Sequence, residues 1–115
     1  MDVLNFIGKL KELAGPFCGM VLVHNGIVKA KNRSGQRVHK IKVEVDKGRL
    51  QEIMEAVRSM PGVLAAQCEI REGELEVGED IMLLGIAADI RENCFGAMTY
   101  ALERIKGEVT RKVEY

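Results

Sequence analysis

Residues 81–87, Ile-Met-Leu-Leu-Gly-Ile-Ala, form an almost wholly apolar run with no charge to place on a solvent face. A strand of that composition is covered on both faces, so it reads as the central strand of a sheet. The rest of the chain must supply its neighbours and its cover. With 115 residues, 47% hydrophobic and 30% charged, there is enough material for one compact domain spanning residues 1–115 and too little for two.

Val3, Leu4, Ile7 and Leu10, with Leu13 or Ala14, recur at helical spacing until Gly15-Pro16, which predicts an amphipathic helix over 3–14. Cys18 to Ala30 is β-rich and holds Asn25-Gly26, so it is either a hairpin or one long strand carrying a bulge. Lys31 to Arg37 is polar and turn-forming, which predicts an exposed, mobile loop. From Val38 to Val45, Val38, Lys40, Lys42 and Glu44 alternate with His39, Ile41, Val43 and Val45, the period of a half-buried strand.

Leu50, Ile53, Met54, Val57 and Met60 form the stripe of a second helix, ended by Pro61-Gly62. Two or three strands follow, with turns near Glu72-Gly73 and Gly78-Glu79. Asp89 and Glu92 are placed to cap a last helix, whose stripe is Cys94, Met98, Ala101, Leu102 and Ile105 and which Gly107 interrupts. The order α-β-β-α-β-β-β-α-β predicts an α+β domain with helices against a mostly antiparallel sheet.

Seventeen basic and seventeen acidic residues cancel, so no general field draws in nucleic acid or an anionic membrane, and any anion site must be local. The opening segment carries Asp2, Lys9, Lys11 and Glu12 and lacks the apolar core of a signal peptide or membrane span. Cys18, Cys68 and Cys94 are widely spaced and odd in number, which fits reduced thiols in a cytoplasmic protein. His24 and His39 have no partner at metal-ligand spacing and read as ordinary strand residues; no metal or cofactor is expected. The remaining chemistry is basic: Lys29, Lys31, Arg33 and Arg37 around one loop, Arg91 at a helix start, and Lys106, Arg111 and Lys112 at the end.

Two stretches carry a family resemblance. Cys18 to Val38, "CGMVLVHNGIVKAKNRSGQRV", resembles a G-A-V-V-x-F-x-G-x-V-R segment followed by a polar loop ending in Gly-x-x-Val. Gly73 to Val109, "GELEVGEDIMLLGIAADIRENCFGAMTYALERIKGEV", resembles a G-x-L-x-V-G-E turn, an apolar strand, an A-x-H-R helix start and a Phe-x-A…D-x-x-K pattern. Both are features of the large, catalytic subunit of molybdopterin synthase, the MoaE type.

The resemblance implies an α/β hammerhead fold, a homodimer, and a ubiquitin-like small subunit of the MoaD type at each end. The small subunit's C-terminal Gly-Gly, as a thiocarboxylate, would give sulfur to cyclic pyranopterin monophosphate in two rounds, building molybdopterin for the molybdenum cofactor. Lys106 occupies the catalytic lysine's position, and Lys112 stands for the second lysine although the proline and tryptophan of a P-x-W-K segment are absent. Lys29 replaces the arginine of V-R, Arg91 matches that of H-R, and Ile90 replaces its histidine. The resemblance also implies a further segment beyond the position of Tyr115, with a basic residue and a tryptophan.

Lys29, Arg37 and Arg91 are the candidates for holding the pterin phosphate. A lysine crowded by other cations and partly desolvated has a lowered pKa, which would suit Lys106 as nucleophile or general acid. Arg91 and Lys106 stand fifteen residues apart on one helix, about 22 Å, so a shared site requires Arg91 from a neighbouring subunit. The changed positions also admit a non-catalytic paralogue that binds a ubiquitin-like protein or a pterin, and a small self-associating regulatory domain needs none of the basic positions.

Overall fold

The computed structural model describes all 115 residues. Its elements run α1 (Val3–Ala14), β1 (Met20–Ile27), β2 (Lys40–Val45), α2 (Lys47–Arg58), β3 (Val63–Ile70), β4 (Gly73–Glu76), β5 (Asp80–Ala88), α3 (Arg91–Glu108) and β6 (Thr110–Glu114). This is the predicted order. The strands, however, form two three-stranded antiparallel sheets, β1-β5-β3 and β4-β2-β6, where the sequence suggests one. The apolar run is β5, central in the first sheet.

Period two divides β5 between two layers. Leu83 and Ala87 face α1, where they pack with Phe6, Leu10 and Ala65. Met82, Leu84, Ile86 and Ala88 face the main core with Ile53, Met54 and Val57 of α2 and Cys94, Ala97, Met98, Ala101 and Ile105 of α3. Ile41 and Val43 of β2 and Leu75 of β4 enter the same core, so both sheets contribute to it. β1 is one continuous strand whose pairing with β5 slips between Gly26 and Ile27, which settles the choice in favour of the bulge.

Three local expectations change. In α1 the buried residues are Phe6 and Leu10, while Leu4 and Leu13 point to solvent. Gly85 explains the rotation: a Cβ there would stand 2.3 Å from Leu10 Cδ1 and 2.6 Å from Phe6 Cε2, so its missing side chain is the space the helix occupies. Asp89 is not the N-cap of α3. That position is Ile90, and the Asp89 carboxylate instead accepts from the Ile90 N–H (2.7 Å) and Asn93 Nδ2 (2.9 Å). Gly107 remains helical, and α3 ends one residue later.

Val38 is buried although its strand parity places it with polar residues, because β2 begins only at Lys40. The loop before it is closed by a Lys31–Arg37 backbone bridge.

Candidate functional site

Only Val109 separates α3 from β6, and β6 pairs with β2 so that Lys112 stands opposite Val43. The end of the helix and the middle of the strand therefore meet. Lys106, Thr110, Lys112 and Arg33 line a cavity of about 370 Å³ with no hydrophobic residue among them. Beside it lies a second cavity of about 430 Å³, with Ile27, Val28, Ile41 and Ile81 as its apolar lining and Lys29, Lys31, Arg33 and Lys112 among its polar residues. Arg33 and Lys112 line both.

The G-x-L-x-V-G-E segment sets the position of Lys29. Gly78 donates its N–H to the Val28 carbonyl (2.8 Å), and Val28 donates to the Glu79 carbonyl (2.9 Å), clamping the residue before Lys29 from both sides. Gly78 has φ +91°, a left-handed conformation that glycine adopts without a Cβ penalty. The Glu79 side chain closes the turn by accepting from the Glu76 N–H and pairing with Arg71 at 3.2 Å.

None of Lys29, Lys31, Arg33, Lys106 or Lys112 forms an ion pair, whereas six pairs engage other cations of the chain. These cations outnumber the one carboxylate of the two linings, Glu114, and a cavity with that excess of positive charge suits an anion. Lys112 is solvent-exposed as a residue, yet burial around its ammonium group lowers its pKa. The positive charge of Lys106 lowers it further, and Glu114 opposes the shift. Burial first and crowding second thus lower the pKa of Lys112, which loosens its proton.

His24 belongs to the same electrostatic group. It shares strand parity with Met20 and Leu22, which pack against the α3 side of the sheet, and stands opposite Leu84. Burial lowers its pKa, and the charges of Lys106 and Lys112 lower it further, which favours the neutral imidazole. The sequence reading treats this histidine as an ordinary strand residue. The available signals were its parity with Met20 and Leu22 and its alignment with the phenylalanine of F-x-G-x-V-R.

The helix end carrying Lys106 is anchored by its neighbour Glu108. That carboxylate accepts from Arg104 on the same helix and from Arg49 of α2, which also bonds Glu52 at 2.7 Å. The bonds from Arg104 and Arg49 hold the Glu108 carboxyl down at about 2, against an ordinary 4.5. A carboxyl depressed on folding contributes stability that is present above pH 4.5 and lost as pH falls through about 2. Glu108→Gln is therefore expected to lower the melting temperature at pH 7, with the difference from wild type shrinking below pH 4; a difference independent of pH counts against the anchor.

Of the predicted site residues, Lys29, Lys106 and Lys112 come together around the two cavities. Arg37 lines neither. Arg91 lies at the far end of α3, beside Gly19, Met20, Asp89 and Glu92, where an incoming anion meets two carboxylates. Arg33, singled out in the sequence only as one of the loop's basic residues, is a shared wall. No three His, Cys, Asp or Glu side chains converge as a metal site would need, and no helix is long and apolar enough to cross a membrane.

The protein family described as "MoaE protein" matches residues 3–108. Molybdopterin synthase from Staphylococcus aureus superposes with a TM-score of 0.83 at 21% identity, covering 100% of this chain and 85% of that one. The molybdopterin biosynthesis MoaE protein from Burkholderia ambifaria gives 0.74 at 18% identity, over 99% and 83% of the two chains. A protein–protein complex of subunits 1 and 2 of molybdopterin-converting factor from Helicobacter pylori contains a chain matching at 0.77 and 15% identity, over 99% and 78%. At these identities the superpositions establish the shared fold. No curated protein sequence matches the chain.

Proposed function

From the premise that the chain belongs to the MoaE family, we propose that it is the large subunit of molybdopterin synthase, a sulfurtransferase of molybdenum-cofactor biosynthesis. It would convert cyclic pyranopterin monophosphate to molybdopterin, drawing sulfur from a thiocarboxylated ubiquitin-like small subunit. The observation that carries this is the pair of adjoining cavities on a MoaE fold, walled by unpaired cations around Lys106 and Lys112.

Both reactants are anionic, and fixed cations in a partly enclosed site stabilise charge that develops on transfer. The apolar patch of Ile27, Val28, Ile41 and Ile81 accepts a flat ring system, while Lys29 and Lys112 face its phosphate. Lys106 lines the smaller cavity, which has no hydrophobic residue in its wall and suits the acyl-sulfur group. Only a thin strand without side chains can deliver that group, so the partner's Gly-Gly tail is its natural carrier. The lowered pKa of Lys112 fits it to exchange a proton during transfer. We place the reaction in the cytoplasm, where its thiols stay reduced.

Arg91 cannot join Lys106 within one chain, so its role requires a homodimer with the site near the interface. Mixing Arg91→Ala with Lys106→Ala protein should then restore part of the activity through hybrid sites. No rescue despite demonstrated subunit exchange removes Arg91 from the site. The function itself is tested by reconstitution with the cognate small subunit and cyclic pyranopterin monophosphate: molybdopterin is the expected product. Tight partner binding without product instead supports the non-catalytic reading.

A further inference from the structure

We propose that Arg33, a lining residue of both cavities, is the residue that selects a phosphate-bearing substrate, as a cation shared by both anionic reactants. This rests on the sulfur-transfer reading above. Only Arg33 and Lys112 line both cavities, and the two differ in chemistry. Lys112 is a point charge whose proton is loosened by its surroundings. Arginine stays charged throughout the physiological range and presents a planar fork that matches two phosphate oxygens.

Lys29 lines only the larger cavity and, as a lysine, lacks the fork. The turn that carries Arg33 is also held in place. Asn32 Oδ1 accepts from the Ser34 and Gln36 N–H groups, both at 3.0 Å, and Asn32 Nδ2 reaches Glu114 Oε1 at 3.3 Å. Because Glu114 lies on the strand of Lys112, the backbone turn that carries Arg33 is tied to that strand. No carboxylate forms an ion pair with Arg33.

The test uses the full chain with its small subunit and compares wild type, Arg33→Ala and Arg33→Lys. In the first arm, Arg33→Ala should raise KM for cyclic pyranopterin monophosphate on the order of tenfold or more, the loss expected for a charge-assisted bidentate pair. Arg33→Lys, which keeps charge without the fork, should recover only part of this. In the second arm, inorganic phosphate should raise the melting temperature of the isolated wild-type chain and leave Arg33→Ala unmoved. An Arg33→Ala protein with unchanged KM and an unchanged phosphate response overturns the proposal, as does full recovery in Arg33→Lys. If wild type makes no molybdopterin, the sulfur-transfer reading falls while the phosphate arm still decides the role of Arg33.

Discussion

Lys106→Ala is expected to lower molybdopterin formation by a factor on the order of 10²–10⁴, the usual range for loss of a positioned proton-transfer group. Lys106 is exposed at the end of α3 and makes no ion pair, so its removal should change stability by no more than about 0.5 kcal/mol. The two readouts separate chemistry from folding. A further consequence follows for Lys112, whose pKa is lowered first by burial and second by Lys106. Removing Lys106 should raise it part of the way back, and the same change should relieve His24. Undiminished product from the variant would exclude Lys106 from the mechanism.

Leu84→Ala is expected to cost about 2–5 kcal/mol, a large share of the 5–15 kcal/mol that holds a domain of this size together. Leu84 is fully buried on β5, facing α2 and α3, with His24 opposite it on β1 and Cys68 on β3. Its position in the middle of a paired strand limits how far the neighbours can collapse into the gap. The loss should be visible as a lowered denaturant midpoint with an unchanged slope. A cost below about 1 kcal/mol would mean that the two layers around β5 are less closely packed than described.

Element order is legible in this chain because each segment carries its own signal. Ile81 to Ala87 lacks a polar face, Leu50 to Met60 keeps helical phase, and Gly15-Pro16 and Pro61-Gly62 stop their helices. Which face of α1 is buried is not legible, because Leu4, Phe6, Ile7 and Leu10 are all apolar and the deciding fact is the empty place at Gly85. Strand alternation likewise names a buried face without naming a partner. The pairing of β2 with β4 and β6, rather than with the strand before it, emerges only from the assembled core.

The site divides in the same way. Lys106 is found through family spacing and Lys112 as the second lysine of a changed segment, and their convergence follows from the short step between α3 and β6. Arg33 stands in the sequence as one of four basic residues around a loop with nothing to single it out, and His24 reads as an ordinary strand residue. One is brought in by the turn around Asn32, the other by strand parity and the neighbouring charges of Lys106 and Lys112. Arg91 shows the converse: it matches a motif yet lies about 22 Å away along its helix.

The central claim is that this chain moves sulfur from the small subunit to the pterin. Mass spectrometry of the small subunit during reconstitution reads that step directly, because transfer turns its C-terminal thiocarboxylate into a carboxylate. The predicted result is that two thiocarboxylates are consumed for each molybdopterin formed, and only when the large subunit and the pterin are both present. A thiocarboxylate that persists in the complete mixture, with the two subunits demonstrably bound, would contradict it.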